Sequence, residues 1–395
     1  MRSHATASLM HRANRKAVLE LIRRQGPIAR SQIANDLDLS LPTIMRIADE
    51  LIAEDLLRLC GRSEATGGRP RPLLEFNAAA HAVIGVDLGG TKMLGAVTDL
   101  AGNVQHEVYL AHPDRDPAAC LERLLGLVES LMQAPRQPGQ RIRGIGVGAP
   151  GITLADEGVV VWSPNVGWRD LPLRAILTDR FKVPVFIEND VNLAALGELG
   201  YGAGRGARNL ISIALGTGIG AGIVIDGALY RGRHQAAGEI GYLLPDVRCL
   251  GRRYDGFGAL EGLASGTGIA ERARQQLHRD GLPVPPEGPS AREVFAAARS
   301  GAGWAQRIVD ETVDYLSLAI GALGVILDPD VVVLGGGVAG SADLIIEPIL
   351  RRLEGAIPYL PRLVASPLGG RAALLGATML VLSAVAEGMS AEEPA

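Results

Sequence analysis

The stretch Val83–Lys92, VIGVDLGGTK, decides the predicted fold of the chain beyond its first 75 residues. It is a short apolar strand that ends in Asp87, a pair of glycines, Thr91 and Lys92. Glycines directly after a strand let backbone N–H groups approach a phosphate, and an aspartate at the strand end can hold a metal ion or its waters. Residues Met93–Thr98 are predicted to form the next strand, so the stretch is also compatible with the tight turn of an ordinary β-hairpin.

The composition indicates a globular protein of two or three domains. The chain of 395 residues is too long for one domain, and 47% hydrophobic residues are ample for buried cores. Cys60, Cys120 and Cys249 lie far apart, which argues against a disulfide scaffold or a cysteine-rich metal site and favours a reducing cytoplasm. We expect neither an apolar run of membrane-spanning length nor a signal peptide, and therefore a cytoplasmic protein.

Charge is distributed unevenly along the chain. The net charge is −4, but the first 75 residues contain 12 lysines and arginines against 9 aspartates and glutamates. A mildly basic head on an acidic body is consistent with nucleic-acid binding at one end only.

The first 75 residues carry the pattern of a helix-turn-helix. Helices are predicted over Asn14–Arg24, Arg30–Leu37 and Leu41–Glu54, with Gly26-Pro27 ending the first and Ser40 as the candidate N-cap of the third. Two short helices, a tight turn and a third amphipathic helix favour a module that places the third helix in the major groove of DNA.

The start and outer face of the third helix supply candidate DNA contacts. Helical spacing turns Thr43 and Arg46 outward, so Arg46 is the candidate for a guanine, and Ser40 and Thr43 are candidates for phosphates or bases. Arg30 and Ser31, at the start of the second helix, complete this set.

A winged element is predicted after the third helix. Two short strands, Leu56–Leu59 and Leu73–Phe76, flank the segment Gly61–Pro72. Arg69 and Arg71, stiffened by neighbouring prolines, are candidates for minor-groove contacts. The alternative is a three-helix protein-interaction module followed by a flexible linker.

The remainder of the chain alternates strands with helices, and loops rich in glycine or polar residues follow the strands. This rhythm indicates an α/β fold with functional loops at strand ends. Predicted strands are Arg143–Val147, Val183–Ile187, Asn209–Leu215, Ile223–Asp226 and Val331–Leu334, and predicted helices are Pro117–Gln133, Val191–Leu199, Gln306–Leu327 and Arg371–Val385.

Two glycine patterns mimic a dinucleotide-binding fingerprint. They are Gly146-x-Gly148-x-x-Gly151 and Gly335-x-Gly337-x-x-Gly340. Several glycine-bearing loops in one chain favour a single nucleotide or sugar cleft, lined from several sides, over two dinucleotide sites.

Asp190 is the carboxylate of greatest chemical interest. It follows Glu188 and Asn189 at the end of a predicted buried strand and precedes a helix. A carboxylate there can accept a proton from a sugar hydroxyl while Asn189 hydrogen-bonds the neighbouring hydroxyl. Residue types alone leave open that Asp190 is simply the N-cap of that helix.

Six motifs in order, VIGVDLGGTK, GVGAPG, ENDVN, LGTGIGAGIV, GEIG and VVLGGG, resemble those of the ROK family of repressors, open reading frames and sugar kinases. The N-terminal block resembles the winged helix of its repressor members. The resemblance implies an actin/hexokinase-like ATPase fold of two α/β lobes, preceded by a winged helix-turn-helix domain. The implied domains are residues 1–77, a small lobe of 80–190 plus 375–395, and a large lobe of 191–374.

The resemblance also implies the site residues. Asp190 matches the catalytic base of the family's kinases, and Trp168 would lie behind Asn165. The implied sugar-binding residues are Asn165, Asn189, Asp190, Glu239, Tyr242 and Glu261. The implied nucleotide-binding residues are Asp87, Gly89, Gly90, Thr91, Lys92, Gly216, Thr217, Gly218, Gly335, Gly336 and Gly337.

The structural zinc of the family is not expected here. Its members usually continue GEIG with a histidine and then carry a run of cysteines, but Tyr242 takes the histidine position and the run retains only Cys249. One thiolate cannot make a closed tetrahedral site. ATP and Mg²⁺ are the cofactors that the phosphate loops would take.

A DNA-binding head joined to a sugar-kinase body leads us to expect a sugar-responsive transcriptional regulator, a repressor of carbohydrate genes. It would bind palindromic operator DNA as a homodimer or homotetramer, and a monosaccharide effector would favour one closure of the lobes. Glucose, xylose and N-acetylglucosamine are candidate effectors. The competing hypotheses are an ATP-dependent sugar kinase that carries a DNA-binding head, and a scaffold that binds neither sugar nor nucleotide.

Overall fold

The computed structural model describes residues 2–63, 70–90, 92–111, 116–137, 139–254 and 258–388, with side chains from residue 8 onward. The N-terminal part consists of three helices beside a small antiparallel sheet in the order β1-β3-β2. Helix α1 begins at Arg2, well before the predicted Asn14, and the short strand β1 was not predicted. The elements are α1 (Arg2–Gln25), β1 (Ile28–Ala29), α2 (Arg30–Asp36), α3 (Leu41–Ala53), β2 (Leu57–Arg62) and β3 (Pro72–Phe76).

Helix α3 buries its predicted apolar face and exposes its predicted polar face. Ile44, Ile47 and Leu51 are fully buried, whereas Arg46 is exposed. The Ser40 hydroxyl accepts a hydrogen bond from the Thr43 N–H at 3.4 Å, which confirms Ser40 as the N-cap.

The next part, residues 81–189, builds a five-stranded mixed sheet, here called the first sheet. Its elements are β4 (His81–Leu88), β5 (Lys92–Asp99), β6 (Val104–Ala111), α4 (Pro117–Gln133), β7 (Arg141–Ala149), β8 (Ile152–Leu154), β9 (Val159–Ser163), β10 (Trp168–Leu171), α5 (Leu173–Phe181) and β11 (Val185–Asn189). The strand order is β11-β7-β4-β5-β6, with β4, β7 and β11 parallel to one another and β5 antiparallel to both of its neighbours. Strands β4 and β5 are therefore the two arms of a hairpin, and β8, β9 and β10 form a separate small sheet that was not predicted.

The last part of the chain builds a second five-stranded sheet. Its elements are α6 (Asp190–Tyr201), β12 (Leu210–Leu215), β13 (Ile219–Ile225), β14 (Ala228–Leu229), α7 (Ala259–Ala264), α8 (Gly266–Arg279), α9 (Ala291–Arg299), α10 (Gly303–Leu327), β15 (Val331–Gly335), α11 (Ile346–Leu353), β16 (Leu363–Ala365) and α12 (Ala372–Ala386). The order β14-β13-β12-β15-β16 repeats that of the first sheet: an antiparallel meander of three strands, extended by two strands parallel to its first. The chain thus contains the same α/β sheet twice.

Two glycine-rich segments follow strands of the second sheet. Strand β13 starts at Ile219, before the predicted Ile223, and takes the glycines at 220 and 222 into the sheet. The glycines that follow β15 lead into a 3-10 segment, Gly337–Leu344, before α11 begins at Ile346.

Helices α6 and α12 form the layer between the two sheets. Glycines make this close packing possible, because a Cβ on Gly146 would lie 2.7 Å from the Ala377 carbonyl oxygen and one on Gly376 only 1.7 Å from that of Leu193. Gly146, one of the fingerprint glycines, therefore serves helix packing. We expected no run of membrane-spanning length, but Gly369–Ala386 has the length and hydropathy for one; 72% of it is buried, as in a core helix.

The N-terminal part docks on α12 and β7. The Arg15 side chain is nearly fully buried, and it donates to the Ala386 carbonyl oxygen at 2.9 Å and to Glu54 at 2.6 Å. Glu54 in turn lies 3.5 Å from the guanidinium of Arg143. One apolar cluster runs without interruption from α1 and α3 into α12. The domain boundaries at residues 77 and 190 stay predictions.

Candidate functional site

A cavity of about 500 Å³, here called the front cleft, lies where the facing ends of the two sheets meet. Its lining brings together all of the predicted sugar-binding residues, although they are scattered over almost 100 positions of the sequence. They are Asn165, Asn189, Asp190, Glu239, Tyr242 and Glu261.

The parallel strands of the first sheet place Asp190 on the wall of this cleft and Asp87 close to Asp190. Asp87 on β4 is in register with Gly148 on β7, and Gly148 is in register with Glu188 on β11. The next residues, Asn189 and Asp190, begin α6. A Cβ on Gly148 would lie 3.3 Å from the Asp190 Cα, so this second fingerprint glycine lets the start of α6 lie against β7.

Asn189, and not Asp190, caps helix α6. The Asn189 Oδ1 accepts hydrogen bonds from the N–H groups of Val191 at 2.9 Å and Asn192 at 3.0 Å. Its Nδ2 donates to the Gly151 carbonyl oxygen at 3.0 Å. Asp190 is the first helical residue and also accepts from the Val191 N–H, at 2.9 Å. Asn189 therefore retains one N–H for a ligand, and its main role is to fix Asp190 in place.

Asp190 has the electrostatics of a proton acceptor near neutral pH. Burial raises the pKa of Asp190 to about 7, and the negative charges of Asp87 and Glu239 act in the same direction. Burial likewise raises the pKa of Asp87 to about 6, against the opposing effect of Lys92. A carboxylate whose pKa lies near the ambient pH is suited to general base chemistry.

Two glutamates and a tyrosine line the opposite wall. Burial first, and the charge of Glu261 second, raise the pKa of Glu239. The pKa of Tyr242 is raised by burial and by both glutamates. Glu261 also accepts the Ile219 N–H at 2.9 Å, which ties this wall to the start of β13.

The loop Gly216–Gly218 presents its backbone to the front cleft. The Gly266 N–H donates to the Gly216 carbonyl oxygen at 2.7 Å, and the Thr267 hydroxyl donates to that of Thr217. A Cβ on Gly216 would meet no atom within 4 Å, so the backbone there faces open space. At Gly216 the loop is fixed by these hydrogen bonds and leaves room for a phosphate group, whereas Gly218 lies against the carboxylate of Glu261.

The remaining implied nucleotide contacts flank the front cleft. Gly89 donates its N–H to the Lys92 carbonyl oxygen at 2.8 Å, and Gly90 lies against the side chain of Asn165. Lys92 is exposed, and Thr91 lies outside the described residues.

Gly335, Gly336 and Gly337 follow β15 beside the end of β12. Gly336 has a φ of +83°, and a Cβ on it would lie 2.4 Å from the Leu215 carbonyl oxygen. A Cβ on Gly337 would meet no atom within 4 Å. Glycine adopts this φ without strain, so the segment can turn tightly at Gly336, and the backbone at Gly337 is open to an approaching ligand.

Trp162 lines the cleft, and the position of Trp168 behind Asn165 stays a prediction. Trp168 is buried in the core of the first sheet and donates its indole N–H to the Pro117 carbonyl oxygen at 3.0 Å. Trp162, on the unpredicted strand β9, lines the front cleft beside Asn165. No sequence signal separated these two residues.

Sequence reasoning also missed a buried ion pair behind the site. Glu188 is 1% exposed, and its Oε2 lies 2.7 Å from both Nε and Nη2 of Arg231, which follows β14 of the second sheet. Its Oε1 accepts from the Asn189 N–H at 2.9 Å and from Asn192 Nδ2 at 3.0 Å. The pair joins the two sheets directly behind Asp190.

The described residues do not reproduce the set of zinc ligands that the family usually carries. Cys249 is buried in a short 3-10 turn, and Tyr242 faces the front cleft. Among the residues that the structure describes, no group of three or more His, Cys, Asp or Glu side chains could hold a metal ion. These residues do not fit a tetrahedral zinc, and the absence of zinc stays a prediction.

The candidate DNA contacts on α3 lie together on its exposed side. The hydroxyl oxygens of Ser40 and Thr43 are 2.8 Å apart. Arg46 donates to Glu50 one turn later at 2.9 Å. Its Nη2 lies 3.2 Å from His11 Nδ1. A guanidinium has five N–H donors, so Arg46 keeps donors for a DNA base or phosphate beside these contacts.

The other candidate DNA-binding residues form contacts between elements of the N-terminal part. Arg30 donates to Asp49 of α3 at 2.8 Å, and Arg71 donates to the hydroxyl of Ser31. Arg69 lies outside the described residues.

Known proteins resemble this chain over its whole length or over its two sheets. The model of the ROK family matches residues 83–384. The chain is 31% identical to the xylose repressor of Caldicellulosiruptor bescii, over 95% of this chain and 97% of that protein. It is 35% identical to the glucokinase of Halalkalibacterium halodurans, over 75% of this chain and 94% of that protein.

A crystal structure described as a ROK family transcriptional regulator, a homologue of the E. coli MLC protein, superposes with a TM-score of 0.83 at 26% identity. The superposition covers 96% of this chain and 97% of that one. The repeated sheet order agrees with the actin/hexokinase-like fold that the motifs implied. The family model and the full-length structural likeness together place this chain in the ROK family, to which it belongs.

Proposed function

We propose that the protein is a sugar-responsive transcriptional repressor, in which the N-terminal part binds operator DNA and the front cleft binds a monosaccharide. The observation that carries this proposal is the extent of the likeness. The xylose repressor and the ROK transcriptional regulator match 95% and 96% of this chain, whereas the glucokinase matches 75%. The protein works in the cytoplasm, where its operator is.

The N-terminal part acts as a winged helix-turn-helix, with α3 in the major groove and the β2–β3 connection as the wing. The exposed Arg46 and the hydroxyls at the start of α3 support this assignment, because these side chains suit base edges and phosphates. A second copy of the chain supplies the second half-site of a palindrome.

The effector is a neutral sugar. Asp190, Glu239 and Glu261 line the front cleft, and Asp87 stands behind Asp190. Carboxylates accept hydrogen bonds from several hydroxyls at once but repel an anionic ligand. The apolar ring of Trp162 offers the face against which a sugar ring packs.

Sugar binding and DNA binding are coupled through the relative position of the two sheets. A sugar held from both walls favours one lobe closure, and it shifts the equilibrium only by its differential affinity for the two states. The Arg15 contacts to Ala386 and Glu54 connect the N-terminal part to α12, the layer between the sheets.

The test begins with selection of DNA from a random-sequence library by the full-length protein. We expect a palindromic sequence, whose affinity one of xylose, glucose or N-acetylglucosamine changes by about fivefold or more, the usual lower range of allosteric coupling. Arg46→Ala should weaken binding, whereas Arg351→Ala, an exposed arginine on α11, serves as the matched control. Failure to enrich any sequence, or an affinity that no sugar changes, would contradict the proposal.

A second candidate function, an ATP-dependent sugar kinase, is favoured by the raised pKa of Asp190. The open backbone at Gly216 and Gly337, together with Asp87, would hold ATP and Mg²⁺, which supply the phosphoryl group and its charge compensation. Asp190 would accept the proton of the sugar hydroxyl. ADP release with a panel of sugars tests this, and activity that survives Asp190→Ala would exclude Asp190 as the base.

A further inference from the structure

Three side chains form a closed set of contacts where α1 passes the outer side of α3. They are His11 on α1 and Arg46 and Glu50 on α3, here called the Arg46 triangle. Arg46 Nη1 donates to Glu50 Oε1 at 2.9 Å, and Arg46 Nη2 lies 3.2 Å from His11 Nδ1. His11 Nε2 lies 3.0 Å from Glu50 Oε2, and this contact closes the triangle.

The partners of His11 assign the proton on its ring. A guanidinium has donors but no acceptor, so His11 Nδ1 is the acceptor of the contact with Arg46. The proton of the neutral ring is then on Nε2, from which it is donated to Glu50. A doubly protonated ring would set an N–H at Nδ1 against the N–H of Arg46. The neutral Nε2–H form of His11 therefore satisfies all three contacts at once.

Glu50 is also held from the interior of the protein. The Arg15 side chain is nearly fully buried, and its Nη1 lies 3.6 Å from Glu50 Oε2. Arg15 is itself fixed, because its Nε donates to the Ala386 carbonyl oxygen at 2.9 Å. The side chain of Arg46, in contrast, is 56% exposed. The triangle thus rests on a buried arginine and presents an exposed one.

The triangle leaves Arg46 able to bind a further partner. Its contacts with described residues use two of the five N–H groups of the guanidinium, and three remain. A free arginine side chain loses much rotamer freedom when it binds, whereas one already held in a single pose loses less. The negative charge of Glu50 also disfavours a phosphate at this point. A neutral base edge is therefore the better partner for Arg46.

We propose that His11 is a positioning residue for DNA readout. Together with Glu50 it holds Arg46 in the pose that reads a base edge in the major groove, and guanine, with its O6 and N7 acceptors, is the base that suits a guanidinium. His11 acts through Arg46 and makes no contact with DNA. The inference rests on the proposed function, because it concerns the operator-binding surface. His11 lies in the part of α1 that precedes Asn14, for which the sequence predicted no helix.

Loss-of-contact binding measurements with the full-length protein test this role. The starting DNA is the palindrome that the wild-type protein selects, and each of its G·C pairs is replaced in turn. The pair that Arg46 reads is the one whose replacement weakens wild-type binding by about tenfold but leaves the binding of Arg46→Ala unchanged. We expect His11→Ala to reduce this preference to about threefold or less, while its affinity for random-sequence DNA stays at the wild-type level.

Three further variants separate positioning from other roles. His11→Gln keeps one donor and one acceptor, so it should retain more of the preference than His11→Ala. Combining His11→Ala with Arg46→Ala should cost no more than Arg46→Ala alone, because His11 acts only through Arg46. His278→Ala, an exposed histidine near the end of α8, is the matched control and should bind as the wild type does. Nitrogen-15 NMR of the wild type without DNA should show the Nε2–H tautomer at His11.

Several results would overturn the proposal. They are an undiminished preference in His11→Ala, an equal loss of its affinity for all sequences, an additional loss in the double variant, and a protonated Nδ1 in the NMR spectrum. Far-UV circular dichroism verifies that each variant is folded. If the wild type selects no sequence, the proposed function fails and this inference fails with it. If the wild type selects a palindrome and His11→Ala reads it equally well, only this inference fails.

Discussion

Two carboxylates at the end of β11 behave differently although only Asn189 separates them. Glu188 is almost fully buried and has Arg231 as its ion-pair partner from the second sheet. Asp190 faces the front cleft, where the nearby charges are those of Asp87 and Glu239, and its pKa rises to about 7. Whether a carboxylate at this junction is structural or suited to proton transfer therefore depends on the charge of the groups beside it, a cation for Glu188 and anions for Asp190.

The two carboxylates also differ in what they face. Asp190 faces the front cleft, which is acidic and suits neutral, hydroxyl-rich ligands, whereas Glu188 lies behind it and is held by Arg231. Substitutions at this junction can therefore show whether the cleft depends on the ion pair.

Removing the cation should have the largest effect on stability. Arg231→Ala leaves Glu188 buried without its partner, and the free energy of unfolding should fall by about 3 kcal/mol, as for other broken buried pairs. Urea unfolding measures the loss, with Arg233→Ala, an exposed arginine two residues on, as control. Adding Glu188→Gln to Arg231→Ala should recover part of the loss. Equal stability of Arg231→Ala and the control would show that the pair contributes nothing.

Neutralising the other carboxylate should stabilise the protein, and only at high pH. The raised pKa means that Asp190 holds its proton more tightly in the folded protein than in the unfolded chain. The contribution of Asp190 to stability is therefore greatest below about pH 4 and falls as the pH rises to about 7. Asp190→Asn removes this fall. The free energy of unfolding of the variant should exceed that of wild type by about 2 kcal/mol at pH 8 and equal it near pH 4. The difference at pH 8 is smaller than the full pKa shift implies, because Asp87 and Asp190 titrate together.

Denaturant unfolding at both pH values tests this sign. Asp330 is the matched control, since its pKa is lowered by hydrogen bonds from the N–H groups of Asn209 and Arg208. Asp330→Asn should therefore destabilise the protein above pH 4, opposite to Asp190→Asn. A stabilisation by Asp190→Asn that is the same at both pH values would contradict the electrostatic explanation.

The sequence predicted local structure best where one signal dominates. Helix α4 has the predicted bounds, and Ser40 caps α3, because Pro117 and Ser40 are start signals that act within a few residues. The short strands β8, β9 and β10 have no comparable signal. Their pairing depends on neighbours that the fold supplies.

The site was predictable as a set of residues but not as a set of contacts. Motifs named the six sugar-binding candidates, and they do lie around one cleft. Which of Asn189 and Asp190 caps α6 depends on backbone angles that the residue types do not fix. The Glu188–Arg231 pair joins residues 43 positions apart in different sheets, so no local pattern could indicate it.

A smaller effect is expected at the cap between the two carboxylates. Asn189→Ala removes the acceptor for the Val191 and Asn192 N–H groups, which should cost about 1 kcal/mol of unfolding free energy. Asn189→Asp keeps an acceptor and should cost less. Sugar affinity should fall in Asn189→Ala as well, because Asp190 is no longer fixed. Calorimetry measures both quantities, and unchanged stability in Asn189→Ala would mean that Asp190 alone suffices as the cap.

The smallest effect on stability is expected at Gly216, where a change should act on the front cleft alone. A methyl group there meets no protein atom within 4 Å, so Gly216→Ala should alter the unfolding free energy by only about 0.5 kcal/mol or less. The same methyl group would occupy the space that a phosphate needs beside the loop. Binding of an ATP analogue should therefore be lost. Gly337→Ala, whose Cβ also meets open space, should behave alike if both loops hold one nucleotide. Retained analogue binding in both variants would remove the nucleotide from the front cleft and leave a sugar as its ligand.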